Sequence, residues 1–236
     1  MSLVSRFYNP ACEERLRAAL LDASPILDLV RREGGRAYLF AGAVRDVVSA
    51  EKLQLSKLKL RDLDIGIEGL PKERFRQIFK SHGIANNRYS GFRWKLPNQI
   101  EIDCWRLEDT VGLLKTNSSY CLSNVLRSFV LACNAIYFDV QTGEFFDKGA
   151  VQSFRSGLLD FVRDPLIHSE DVFSAKAIVY QRRFGFRLSP TLQRFAEIYT
   201  DNGCVQNELK KWRSTIQSRS ANNDSHRSDR QNRQIP

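Results

Sequence analysis

The stretch LRDLDIGIEG, residues 60–69, sets two aspartates two positions apart in a run of leucine and isoleucine. In an extended chain alternate side chains share a face, so Asp62 and Asp64 fall on one side while Leu63, Ile65 and Ile67 fall on the other. Charged groups are rarely buried without a partner, so the pair asks for a cation or for water. Two hard oxygen ligands at one point suit Mg²⁺ beside the phosphates of a nucleotide. Two solvent-facing acids on an edge strand fit the same spacing. A second stretch, IEIDCW at 100–105, repeats the pattern with Glu101 and Asp103. If the two faces meet, three or four carboxylates converge, and such a density of like charge is tolerable with a cation between them.

Upstream, FAGAVRD at 40–46 puts the small residues Gly42 and Ala43 between the strand-like RAYLF (36–40) and a helix. Backbone amides at such a helix start can approach a phosphate closely. Arg45 could reach a triphosphate, with Asp46 holding the arginine in place. A tight strand-to-helix turn with a surface Arg-Asp pair accounts for the same residues.

Outward from this centre, residues 10–33 show helical spacing of apolar side chains with a break near Ser24-Pro25, and Gly34-Gly35 ends them. Residues 71–84, opened by Pro71 and stopped at Gly83, form another helix. The stretches 89–97 and 99–107 are strands turning at Pro97-Asn98, hence an antiparallel pair, and 134–149 is a hairpin turning at Thr142-Gly143. From Val151 the texture is helical, clearest over 169–186 and again from Ser189-Pro190. The boundaries expected are N-terminal helices over 1–33, a head domain over 34–150, a helical neck over 151–213 and a disordered basic tail over 214–236.

The chain has 236 residues, 42% of them hydrophobic, which is enough for one sizeable core. Five cysteines without a CxxC pair and three histidines suggest neither a disulfide framework nor a zinc site. No window approaches the ~20 apolar residues that span a bilayer, and a cytoplasmic setting is the expectation. The net charge of +9, to which the segment from Asp201 onward contributes +3, suits a polyanionic partner, though a mildly basic surface also serves solubility alone.

Taken in order, FAGAVRD, RDLDIGI, IEIDCWR, NAIYFDVQTGEFFD and EDVFSAKAIVYQRRFGFRLSP resemble the head and neck of the class II tRNA nucleotidyltransferase and bacterial poly(A) polymerase family, within the polymerase beta-like nucleotidyltransferases. The resemblance spans about residues 36–200. It implies an α+β fold, a mixed sheet with flanking helices followed by a short helical neck. The implied reaction transfers NMP from an NTP to an acceptor hydroxyl, with release of pyrophosphate and two Mg²⁺ ions as cofactor. Residue by residue, it places Gly42, Ala43 and Arg45 at the triphosphate beside Asp46, Asn134 and Lys176 at the nucleotide, and Asp62 and Asp64 on the metals. For the third carboxylate the class II pattern selects Glu101 and the wider superfamily selects Asp103; both are candidates, with Asp103 preferred as metal ligand.

The departures from the family pattern are specific. Ala41 stands where the loop has its first glycine, the interval from Asp46 to Asp62 is long, and RSFVLACNA at 127–135 replaces an arginine-rich run, keeping Asn134 and Ala135. In the neck Ser174 takes the place of the base-reading arginine, Lys176 stands for the first of two further arginines and Val179 for the second. The chain also stops just past the neck. An orthodox CCA-adding role is therefore not expected. An RNA 3′ end, tRNA-like, is the acceptor that the basic balance favours. A protein or small-molecule hydroxyl, and a catalytically impaired relative that binds nucleotide or RNA, are the alternatives.

Overall fold

A computed structural model describes residues 10–52, 60–87, 91–163 and 169–217. Helices α1 (Pro10–Leu20) and α2 (Ser24–Arg32) are separated by a 3₁₀ turn over Leu21–Ala23, with Pro25 in the first turn of α2 where a missing N–H costs no bond. Gly34 takes φ 83° and turns the chain into strand β1 (Arg36–Phe40). Helix α3 (Gly42–Lys52), strand β2 (Asp62–Glu68) and helix α4 (Lys72–Ser81) follow, then the short β3 (Ala85–Asn86), β4 (Phe92–Lys95) and β5 (Glu101–Arg106). Two short helices, α5 (Val111–Lys115) and α6 (Leu122–Arg127), lead to the hairpin β6 (Ile136–Asp139) and β7 (Phe145–Asp147). Helix α7 (Ala150–Ser156) and β8 (Leu158–Leu159) precede α8 (Glu170–Phe184), β9 (Arg187–Leu188), α9 (Pro190–Tyr199) and α10 (Asn202–Gln217).

The first seven strands form one mixed sheet in the order β3-β4-β5-β2-β1-β6-β7, and β8 and β9 make a separate parallel pair. The expected antiparallel pairs β4–β5 and β6–β7 are present, and Gly143 sits at the second turn with φ 76°. Strand β1 runs antiparallel to both β2 and β6, whereas β2 and β5 are parallel. That parallel contact is possible because α4, β3 and β4 carry the chain back to the starting edge before β5 begins.

Alternation along β1 and β2 separates two faces. Ala37, Leu39, Leu63, Ile65 and Ile67 enter the larger core with Leu16, Val30, Val44, Val47, Phe75 and Phe79 of α1 to α4. Tyr38 and Phe40 point the other way, into a smaller cluster with Leu107, Leu113, Val125, Leu126 and Tyr137. Gly66 lies on this second face, where a Cβ would stand 2.2 Å from Leu107 Cδ2 and 2.7 Å from Phe40 Cε2; only glycine lets the covering layer rest on β2.

Helices α9 and α10 both pack on α8. Helix α10 runs to Gln217, so the tail boundary expected at residue 214 falls inside a helix; residues 218–236 lie outside the described residues. Helix α7 packs against residues 132–134 and α3, and its Phe154 also meets Phe184 of α8, edge to face with ring centres 6.1 Å apart. No helix among the described residues is long and apolar enough to cross a membrane.

Candidate active site

Parallel pairing of β2 with β5 sets Asp62 opposite Glu101 and Asp64 opposite Asp103. The four acids therefore share one face of two adjacent strands. Of the three acids β2 carries on this face, Glu68 is accounted for structurally: Tyr38 Oη donates to its Oε2 at 2.6 Å and Tyr120 Oη to its Oε1. Among the described residues Asp64 has no such neutral donors. Burial, with the charges of Asp62 and Asp103 adding to it, pushes its carboxyl up to about 7, against the opposing pull of Lys176 and Arg45. Glu101, at the exposed start of β5, is not among the groups that raise it, so the electrostatic cluster is Asp62, Asp64 and Asp103.

The outer two carboxylates are held by arginines. Arg61 Nε donates to Asp62 Oδ2 at 3.1 Å, and Arg93, directly across the β4–β5 ladder, donates through Nε to Asp103 Oδ1 at 2.8 Å. Asn87 Nδ2 donates to the same Asp103 oxygen at 3.2 Å. Among the described residues no three carboxylates, imidazoles or thiols close to a coordination shell in this arrangement.

The loop before α3 brings the helix start to this cluster. Ala41 adopts φ 47°, a left-handed conformation disfavoured by its Cβ, and its carbonyl accepts the first helical bond from Arg45 N at 2.7 Å. Gly42 follows directly beneath Asp64, where a Cβ would lie 4.0 Å from the Asp64 Oδ2. Ala43 is buried, and with Asp46 it lines a shallow cleft between the head and α8.

Arg45, expected at a triphosphate, turns its guanidinium inward at the wall of the cleft. Its side chain is 7% exposed and its donors are engaged: Nε to Asp46 Oδ1 at 2.8 Å, and Nη1 to both Asn134 Oδ1 and Tyr180 Oη at 2.7 Å. The guanidinium also lies 4.6 Å from the centre of the Tyr180 ring. Asp46 turns its other oxygen to Arg183, which donates through Nη2 at 2.7 Å. Arg45, Asp46, Asn134, Tyr180 and Arg183 thus form one buried clamp that ties α3 and the segment before β6 to α8. Asn134, expected at the nucleotide, serves this clamp as the acceptor of Arg45.

Helix α8 turns Lys176, Tyr180 and Arg183 to the head. Spacing of i, i+4 and i+7 puts them on one side, and this signal in the sequence would have marked Tyr180 and Arg183 together with Lys176. Ser174 faces the other way: it is fully buried, 2.8 Å from Thr200 Oγ1 and 3.3 Å from the Ala196 carbonyl, inside the contact with α9. The cleft itself is lined by Arg45, Asp46, Arg61, Asp62 and Arg183, and by Glu208 of α10, which no motif announced.

No family model matches the chain. The CCA-adding enzyme of Bacillus licheniformis is 25% identical over 186 residues, which cover 74% of this chain and 44% of that enzyme. Among solved structures, the Thermotoga maritima CCA-adding enzyme complexed with tRNA superposes with a TM-score of 0.56 at 17% identity, over 87% of this chain and 46% of the other. A CCA-adding enzyme in its apo form I gives 0.58 at 16% identity, over 89% and 50%. A tRNA nucleotidyltransferase complexed with a primer tRNA and an incoming ATP analog gives 0.56 at 20% identity, over 78% and 55%. The chain carries a class II tRNA nucleotidyltransferase-like head. This head and the helices after it span about half the length of the relatives they match.

Proposed function

We propose that the chain transfers a nucleotidyl group from an NTP to the 3′ hydroxyl of an RNA, releasing pyrophosphate. The observation that carries this reading is the register that sets Asp64 beside Asp103, with Asp62 two residues away and the start of α3 beneath them. In this reading the acceptor oxygen attacks the α-phosphorus and the bond to the pyrophosphate oxygen breaks. Arg61 and Arg183, which line the head–neck cleft, orient the triphosphate, and Lys176 adds positive charge beside Asp64. The relatives' complexes with tRNA, CTP and an ATP analog support NTP and RNA as partners.

Mg²⁺ is the cation the donor set fits. The carboxylates are hard oxygen ligands, and their mutual repulsion on Asp64 is the excess that a divalent ion relieves. Asp62, Asp64 and Asp103 would hold it once Arg61 and Arg93 release the outer two. Bound there, Mg²⁺ supplies charge neutralisation at the phosphates and a lowered pKa for the acceptor hydroxyl.

Base choice, in this proposal, does not follow an Asp-Arg template on α8. Ser174 is sealed against α9, and Asp171 accepts from the Cys204 thiol at 3.2 Å. The proposal therefore stops short of CCA addition. The ion pairs on Asp62 and Asp103 favour, as the second reading, a relative that binds nucleotide or RNA without transfer. Incubation of the protein with MgCl₂, total RNA and each α-³²P-labelled NTP separates the two. Label in a discrete RNA band, lost in the Asp62→Ala, Asp64→Ala double variant, is the result expected. Label retained in that variant would remove the carboxylates from the chemistry, and no label with any NTP would leave the binding reading.

A further inference from the structure

The segment between β5 and β6 covers the acid-bearing face of the sheet and holds a second concavity, which shares no lining residue with the head–neck cleft. Arg127 and Arg163 line it with Thr116, Ser118, Asn124 and Ser128, and no carboxylate is among its described lining residues. Its walls are set by close packing, since a Cβ on Gly112 of α5 would stand 2.4 Å from Ser128 Cβ. Arg163 reaches the pocket through an antiparallel pairing. Leu131 and Phe161 form a bridge, Val162 N donates to the Val130 carbonyl at 2.8 Å, and Ala132 N donates to the Asp160 carbonyl at 2.9 Å. The next step of that register brings residue 163 across from Phe129, beside Ser128. Phe129 stacks on Phe40 at 5.7 Å, and Phe40 pairs with Asp64. The pocket therefore lies on the side of the sheet that carries the carboxylates.

Its donors decide what it can hold. Thr116 Oγ1 donates to the Gly112 carbonyl at 2.7 Å, which leaves Ser118 Oγ to donate to Thr116 at 2.9 Å; Ser128 Oγ donates to the Val125 carbonyl at 2.7 Å. Asn124 Nδ2 spends one hydrogen on the Ser119 carbonyl at 3.0 Å. With the hydroxyl protons committed, a ligand meets two guanidiniums and the remaining Asn124 N–H. Against the lone pairs that the hydroxyls and Asn124 Oδ1 keep, the two guanidiniums supply the pocket's charge, which suits an anionic ligand rich in acceptors. Arg163 Nε is buried without a hydrogen-bond partner among the described residues, and burial holds its pKa below the usual arginine value.

We propose that Arg127 and Arg163 form a phosphate-oxyanion site distinct from the head–neck cleft. The choice of phosphate among anions rests on the nucleotidyl-transfer reading. The phosphate would be a phosphodiester of the acceptor strand or a phosphate of a free nucleotide. The test measures binding, not transfer, on the full chain carrying Arg127→Gln, Arg127→Gln with Arg163→Gln, or lysine at both positions. A fluorescent single-stranded RNA is titrated across a KCl series, and ATP and inorganic phosphate are titrated by calorimetry. At a slope of about 0.7 per phosphate neutralised on single strands, the double glutamine variant should show a log K against log[KCl] plot shallower by about 0.7, and the lysine variant should keep the parent slope. An unchanged RNA slope with at least tenfold weaker ATP or phosphate binding assigns the site to the free nucleotide. Wild-type binding of RNA, ATP and phosphate in both glutamine variants overturns the proposal; Arg127 is exposed, so Arg127→Gln alone gives this answer without endangering the fold. Loss of binding in the variants of a chain that labels no RNA would leave this site standing and remove the transfer reading.

Discussion

Asp64 is poised near neutrality because its half-buried place on the sheet desolvates it and Asp62 and Asp103 oppose a further negative charge. A carboxyl raised from 3.8 to about 7 keeps its proton in the folded chain over a range where the unfolded chain has lost it. Stability contributed at this position is therefore full at about pH 4, declines as pH rises toward 7 and is flat above. In EDTA the melting temperature of the parent should fall between pH 5 and pH 8, while Asp64→Asn should lack that decline and melt higher at pH 8. The separation bounds the effect at about 4 kcal/mol. Parallel melting curves for the two proteins would show that the carboxyl carries no such burden. Ala41 offers an independent check at the same scale. Its φ of 47° carries a Cβ penalty of about 1 kcal/mol, so Ala41→Gly should leave stability unchanged or raise it by up to ~1 kcal/mol in urea melts, against the usual loss for an Ala-to-Gly change.

At the scale of the element, β2 has one face that tolerates only glycine at its centre. Gly66→Ala should cost about 1–3 kcal/mol in urea melts, because Leu107 and Phe40 are fully buried and cannot both move aside; a midpoint equal to the parent's would show a looser covering layer. The strands around this position were legible in the sequence, since RAYLF is the apolar run of a buried strand and the period-two alternation in RDLDIGI and IEIDCW fixes which side Asp62 and Asp64 take. What alternation could not supply was partnership. Whether β2 meets β5 in parallel depends on where α4, β3 and β4 return the chain, and so on packing that no local pattern encodes. Helices α5 and α6, of 5 and 6 residues, are too short for a helical period to emerge. Helix α10 hides for another reason: its buried described side chains are Val205 and Leu209 among polar neighbours, and its start is signalled by Asp201, whose Oδ1 accepts from Cys204 N at 2.7 Å.

Across the whole molecule, the head and α8 are joined by groups remote in sequence, Arg45 meeting Asn134 and Tyr180 across 89 and 135 positions. This is why the adjacent Arg45-Asp46 pair looked like a ligand contact in the sequence and is a structural hub in the fold. The hub is asymmetric. Asp46 has two arginine partners, whereas Asn134 and Tyr180 share Arg45 and otherwise have a 3.4 Å bond from Asn134 Nδ2 to Tyr180 Oη and a weak one from the Cys133 thiol. Arg45→Met leaves Asp46 with Arg183 but removes the donor shared by Asn134 Oδ1 and Tyr180 Oη, and should cost about 1–3 kcal/mol, the range for buried polar groups that lose a partner. Arg183→Ala leaves Asp46 paired and should cost about 1 kcal/mol. Because both arginines act through Asp46, their effects should not add, and a double-mutant cycle in urea should return a coupling of at least about 0.5 kcal/mol. The consequence for activity differs from that for stability. Both arginines line the cleft, but Arg45 is 7% exposed with its donors engaged against 18% for Arg183, so Arg183→Ala should raise KM for NTP with the fold intact, and the same KM as the parent would reduce Arg183 to a strut between head and helix.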